Sequence, residues 1–354
     1  MFDWFWNKKS GPRLGIDLGS SAIKIVELTK KDERIILSNY ALLQANKDAS
    51  VRIGDLSEEE TADILRRLLE QARIKSRRAS ISLPVDRTFS VAIDLPAMSE
   101  SELSAAIPFE ARKYIPVPLE EIVLDWSVIS LEPSPALKPV LPAASPAGED
   151  GDKTKAEGAD KAQAESVDVG KQPGLSTPPP AEPPSSGRMQ VLVVAVPKEI
   201  INRLTRIAKM AGLNVEALEQ EGFSLARSVL GNDKNAYVLV DLGRKSTDLI
   251  VADQGLIRSS HNLDTINKEM VLMEIDRVVN SFQMRYNKKV SQCLLIGGRS
   301  GEETLVEFLK NKLKIPVTIA DPFARVDCEP ALKPILPEIG PSLAVAVGLA
   351  MQKG

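Results

Sequence analysis

Histidine, cysteine and aromatic residues are scarce in this chain of 354 residues, and the scarcity removes several kinds of chemistry. The single histidine, His261, has no cluster of ligating residues around it, so zinc chemistry and a Ser-His-Asp relay have little to work with. The two cysteines, Cys293 and Cys328, have neither metal-ligand spacing nor a disulfide framework. Each lies in or near an apolar stretch and reads as a buried reduced thiol, which suits a reducing compartment. No run of about 18 apolar residues occurs, so no transmembrane helix is expected. Charge of one sign is missing too. The formal net charge is -3 with no basic block, so no nucleic-acid partner is expected, and Lys8-Lys9 and Arg77-Arg78 read as solvated surface.

What is present is enough for two or more domains with cores of their own. The opening stretch carries Phe2, Trp4, Phe5 and Trp6 before Lys8 and Lys9. It is too short for a signal peptide and has its charges after its apolar part. Two readings stay open: rings resting in a membrane interface, or rings packed on the protein itself or on a partner. Eleven of the 24 prolines fall between Pro133 and Pro184, and this stretch lacks apolar periodicity. Such a composition does not bury enough surface to offset its ordering entropy and is expected to stay disordered. Structured patterns resume on both sides of it.

Before that excursion, Leu14 to Leu28 reads as strand, glycine turn and second apolar run, and Ile35 to Leu43 as a further strand. Ser57 with Glu60 and Ser99 with Glu102 are capping boxes that open helices. Pro108 is expected to kink or end the second helix. After it, Gln190 to Val196 is β-prone, and Pro197 opens a helix that Gly212 stops. The order from Arg87 to Leu218 is therefore β-α-β-linker-β-α-β, a split module inside a larger fold. A strand-turn-strand unit follows at Tyr237 to Val251. A helix from about Asp264, a strand at Gln292 to Ile296 and a helix from about Glu302 come next. The closing helix, Ala344 to Met351, is apolar on every side and should be buried.

Two segments repeat one design. Gly15-Ile16-Asp17-Leu18-Gly19-Ser20-Ser21 and Val240-Asp241-Leu242-Gly243-Arg244-Lys245-Ser246-Thr247 each place Asp-Leu-Gly at a hairpin bend, with hydroxyl residues just after it. Glycine lets backbone N–H groups approach a phosphate, and successive N–H groups in a tight turn form an anion nest. One aspartate per hairpin can hold Mg²⁺, usually through its waters. One such hairpin is a common turn; two, about 225 residues apart, are a more specific signal. A third element, Cys293-Leu294-Leu295-Ile296-Gly297-Gly298, is an apolar strand ending in a glycine turn on which a flat adenosine can lie.

Hairpin, inserted βαβ module, hairpin and Gly-Gly turn occur in the order of the actin, Hsp70 and sugar-kinase superfamily, which this sequence resembles. The insertion is similar to the displaced subdomain of the cell-division protein FtsA. Leu95-Pro96-Ala97-Met98-Ser99-Glu100, Tyr114-Ile115-Pro116-Val117-Pro118-Leu119-Glu120-Glu121 and Pro341-Ser342-Leu343-Ala344-Val345-Ala346-Val347-Gly348-Leu349-Ala350 resemble the type IV pilus assembly PilM family. The resemblance implies an α/β fold of duplicated actin-like (ribonuclease H-like) domains with an FtsA-type βαβ-βαβ subdomain insertion. Residues 1–12 would be an aromatic and basic segment and 13–86 the core of the first lobe. Residues 87–219 would be the displaced subdomain, interrupted by the proline-rich linker 133–187, and 220–354 the second lobe.

It further implies that Asp17 and Asp241 face Mg²⁺, that Gly19, Ser20, Ser21, Gly243, Ser246 and Thr247 cradle the phosphates of ATP, and that Gly297 and Gly298 lie beside the adenosine. Lys24 would reach a phosphate or a surface carboxylate. Asp241 is also a catalytic candidate, and Glu221 matches the connecting helix that carries a water-positioning residue. Only about 45 residues separate Val251 from Gly297, so the subdomain that covers the adenine in the family is trimmed or absent here. Arg244 and Lys245 stand where the family has small residues. Hydrolysis is therefore expected to be slow at most.

The implied function is a cytoplasmic nucleotide-binding scaffold, peripheral to the inner membrane, in the assembly complex of the type IV pilus. Its partner would be the N-terminal cytoplasmic tail of a PilN-like membrane protein, alongside other pilus inner-membrane components. The alternatives are a sugar kinase, an Hsp70-type ATPase or an FtsA-like filament former. A kinase needs a sugar pocket between large lobes. A protein like the secretion component GspL would need a transmembrane helix, and an FtsA-like one an amphipathic anchor where this chain has Met351-Gln352-Lys353-Gly354.

Overall fold

A computed structural model describes residues 11–45, 53–130 and 187–352. The aromatic stretch at 1–10 and nearly all of the proline-rich stretch expected at 133–187 lie outside the described residues. Three strands open the chain: β1 (Arg13–Leu18), β2 (Ala22–Lys31) and β3 (Arg34–Gln44). Helix α1 (Glu58–Gln71) follows, started by the capping box in which Ser57 and Glu60 each satisfy the other's backbone N–H. Then come β4 (Arg78–Leu83), β5 (Phe89–Pro96), α2 (Glu100–Ala111) and β6 (Ile122–Ser130). After the excursion the chain continues as β7 (Arg188–Pro197), α3 (Lys198–Met210), β8 (Asn214–Gln220) and α4 (Glu221–Val229). The last part holds β9 (Ala236–Leu242), β10 (Thr247–Asp253), β11 (Leu256–Leu263), α5 (Lys268–Tyr286), β12 (Gln292–Ile296), α6 (Glu303–Lys312), β13 (Val317–Ile319), α7 (Leu336–Ile339) and α8 (Ala344–Ala350).

These strands form two five-stranded sheets of the same pattern, β3-β2-β1-β4-β8 and β11-β10-β9-β12-β13. In each, three antiparallel strands are joined by helical crossovers to two parallel ones. This is the duplicated lobe that the actin-like expectation requires. A third sheet, β5-β7-β6, is inserted into the first lobe between β4 and α3 and carries α2 on one face.

Two sequence expectations need correction. The module at 87–219 is not one unit. Strand β8 pairs in parallel with β4, and α3 shares the core of lobe 1 through Leu204, Ile207 and Ala208, so only β5, α2, β6 and β7 form the inserted subdomain. Of the two outcomes expected at Pro108, a kink or an end, the helix does not end there: α2 runs three residues further. The carbonyl it leaves without an intrahelical donor belongs to Ser104, which is exposed to water.

The lobes exchange helices. Helix α4 follows lobe 1 but packs through Leu225 and Leu230 on Leu239 and Ile250 of lobe 2. Helix α8 follows lobe 2 but packs through Ala346, Val347 and Ala350 on Val26 and Leu28 of lobe 1. Every residue of α8 is buried. A Cβ on Gly15 would lie 1.8 Å from the Ala346 carbonyl oxygen, and one on Gly348 would lie 1.9 Å from the carbonyl oxygen of Ser224 in α4. These two glycines let α8 seat against β1 and α4 at backbone distance.

Candidate functional site

The two hairpins that face each other between the lobes are matched in register. In the first, Asp17 stands directly across from Lys24; in the second, Asp241 stands across from Asp248. A cavity of about 230 Å³ lies between them. Lining it are Asp17, Gly19, Ser20, Ser21 and Lys24 from the first hairpin and Asp241, Gly243 and Ser246 from the second, with Glu221 from the start of α4 and Gly298 from the turn after β12. Gly297 supports this set from behind. Its φ is +89°, its N–H donates to the Pro341 carbonyl at 3.0 Å, and a Cβ there would come 2.2 Å from Asp241 Oδ1.

Thr247 is not brought into the cavity. It is fully buried, and its hydroxyl donates to the Thr265 carbonyl at 3.1 Å. Side chains alternate along a strand, so once Asp248 faces the cavity its neighbour faces the core.

Lys24 organises the charge. Its Nζ lies 2.8 Å from Asp17 Oδ2, and Asp17 Oδ1 accepts from the Ser82 hydroxyl at 3.0 Å. Burial works against the ammonium, but the charges of Asp17, Asp241 and Glu221 outweigh it and raise its pKa. Burial pushes the Asp241 carboxyl up; Lys24 opposes this and Asp17 adds to it. Glu221 is pushed well above the carboxylate range, first by burial and then by the charges of Asp17, Asp248 and Asp241.

Several lining residues were not singled out from the sequence. Asp248 is raised to about 7, chiefly by burial, although Asn262 donates to it at 2.8 Å. The register of a four-residue turn would have placed it opposite Asp241. Asp86 and Arg87 come from the strap between β4 and β5, which no motif marks. Gln44, at the end of β3, reaches across to Gly298, and Arg244 donates to the Ala45 carbonyl. Arg244 thus lines the cavity and ties the second hairpin to lobe 1. Beyond the hairpins the cavity continues along an apolar wall of Ile53 and of Ile200, Leu204 and Ile207 from α3.

Among the described residues no group of three ligating side chains stands close enough to hold a metal directly. The donor set nevertheless fits a hydrated Mg²⁺, because burial raises both Asp241 and Asp248, with carboxylate charge adding to each, and a cation would relieve that penalty. Among the described residues no helix is long and apolar enough to cross a membrane.

The model of the type IV pilus assembly protein PilM family matches residues 15–172 and 263–354, more than half of the chain. A chain of the PilM-PilN type IV pilus biogenesis complex is similar over 96% of this chain and 97% of that one, at 21% identity and a TM-score of 0.71. The ethanolamine utilization protein EutJ from Carboxydothermus hydrogenoformans is similar over 99% and 93%, at 13% identity and a TM-score of 0.47. The cytoplasmic domain of EpsL, an inner membrane component of the type II secretion system of Vibrio cholerae, is similar over 97% and 96%, at 8% identity and a TM-score of 0.48. The first of these shares the fold with this chain. The other two add nothing to that assignment.

Proposed function

We propose, for a chain that belongs to the type IV pilus assembly protein PilM family, the role of a nucleotide-binding scaffold in the inner-membrane assembly complex of the pilus. It would sit on the cytoplasmic face and hold the N-terminal tail of a PilN-like membrane protein. One observation carries the reading: the cavity lined by both Asp-Leu-Gly hairpins also has apolar side chains in its wall, Ile53 and Ile200 of α3 among them. The hairpins suit the phosphates of ATP, and the apolar side chains suit a segment of extended peptide.

In this reading Gly19, Ser20, Ser21, Gly243 and Ser246 cradle the phosphates, and Lys24 exchanges part of its pairing with Asp17 for a phosphate oxygen. Asp17 and Asp241 would hold Mg²⁺, which when bound neutralises phosphate charge. Gly297 and Gly298 would lie beside the base. The cavity of about 230 Å³ is smaller than the roughly 300–1,000 Å³ usual for ligand pockets, so the lobes must part, or the base must lie outside. The short interval between β11 and β12 holds α5 and no covering subdomain, which favours a scaffold over a sugar kinase. Glu221, whose carboxyl is pushed up first by burial and then by the neighbouring carboxylates, would orient water, and turnover would be slow.

The test is a titration with a fluorescent ATP analogue and Mg²⁺, beside Asp17→Ala and Asp241→Ala. Saturable binding lost in both variants supports the site. No binding by folded protein removes the nucleotide from the reading and leaves the scaffold.

A further inference from the structure

The inserted subdomain is joined by chain only to lobe 1, through the strap after β4 and through Pro197 before α3. Its buried polar contacts run instead to lobe 2. Leu192 and Ile129 share an apolar cluster with Leu225 of α4 and Ile257 of β11. Beside them Gln190, 1% exposed, donates to Asp94 at 3.1 Å and accepts from the Tyr286 hydroxyl at 2.8 Å. Arg285 reaches Asp94 at 3.4 Å. Arg258 donates to the Ile129 carbonyl at 2.7 Å and pairs with Asp253 at 3.1 Å, both side chains being buried. The guanidinium groups of Arg258 and Arg285 lie 5.3 and 5.6 Å from the centroid of the Tyr286 ring.

The seam with lobe 1 is of another kind. Val194 and Val196 meet the core around α3, and Lys198 donates to the exposed Glu120 carbonyl. A buried polar group left without its partner costs more than the bond itself contributes. Parting the subdomain from lobe 2 would take the Tyr286 hydroxyl from Gln190 and the Ile129 carbonyl from Arg258, two buried polar contacts at once. Sliding it on lobe 1 bends two chain joints and disturbs one buried polar contact, from Gln220 of β8 to the Thr88 hydroxyl beside β5. We infer that Tyr286 and Arg258 are positioning residues that fasten the inserted subdomain to lobe 2, so that it follows lobe 2 when the lobes move. One of the joints, Pro84 to Arg87, lines the cavity, so a change in cleft width changes the angle between the subdomain and α3. This fastening is independent of what the cavity binds.

Amide hydrogen exchange on the full chain tests it, comparing wild type with Tyr286→Phe and Arg258→Met. The expected result is exchange about tenfold faster at 89–96 and 188–197, with 13–18, 78–83 and 236–242 unchanged. Unchanged rates in β5 and β7 would overturn the inference. So would an equal rise in β9 and β12, which would mean that the two side chains only support the core of lobe 2. Tyr286→Phe removes a single hydroxyl and keeps the test decisive should Arg258→Met not fold.

Discussion

The two hairpins at the cleft share a turn length and a register, yet they differ at one facing pair. Lobe 1 sets Asp17 against Lys24, and lobe 2 sets Asp241 against Asp248. The first pair is neutral as built, with a 2.8 Å ion pair and a second donor from Ser82. In the second, two half-buried carboxylates face each other, and each is pushed above its ordinary range. One hairpin thus carries a facing ion pair, and the other carries two facing carboxylates that are both pushed up. Proton and cation dependence of the cleft should therefore be a property of lobe 2.

The largest expected effect follows from Asp248. Its folded-state pKa is about 7, above the unfolded value near 4, so the folded state holds the proton more tightly. Its contribution is complete below about pH 4 and is lost as pH rises through about 7, a fall of about 4 kcal/mol. Asp248→Asn should flatten that part of a stability-against-pH curve, and an unchanged curve would break the comparison. On the other hairpin, Lys24→Met should cost about 3 kcal/mol at pH 7 in urea unfolding, because Asp17 stays buried without its counter-ion.

A packing comparison comes next. Leu239 in β9 lies against α4 at the position where β1 has Gly15 against α8. Leu239→Ala should lose about 3 kcal/mol by cavity formation, and Gly15→Ala about 2 kcal/mol by pushing α8 away. Equal tolerance of both would mean that the two exchanged helices do not seat differently. The smallest effect is in lobe 1 alone: Ser57→Ala should cost about 1 kcal/mol by removing the cap of α1, read as a shift in urea midpoint.

Much of this was legible because the signals are local. The Asp-Leu-Gly turns, both capping boxes and the all-apolar α8 are each written within about ten residues. The rest depended on long-range pairing. Nothing in Asn214–Gln220 says that this strand will lie beside β4 rather than β7, a choice made by the burial of α3 on lobe 1. Strand β11 escaped notice because Arg258 to Asn262 has no apolar alternation; its Arg258 faces the polar seam with the subdomain. Of the predicted phosphate residues, Thr247 was misplaced by reading composition rather than the strand's period of two.

The exchange of α4 and α8 has a consequence for synthesis. Residues 13–18 leave the ribosome first among the described strands, yet the helix that covers Gly15 is made more than 300 residues later. Lobe 1 therefore waits, with one face of its sheet bare, until α8 has been made. A nascent chain stalled at residue 340 is expected to show β1 and β2 open to protease while α1 is already protected, and release of the last turn of α8 should close them.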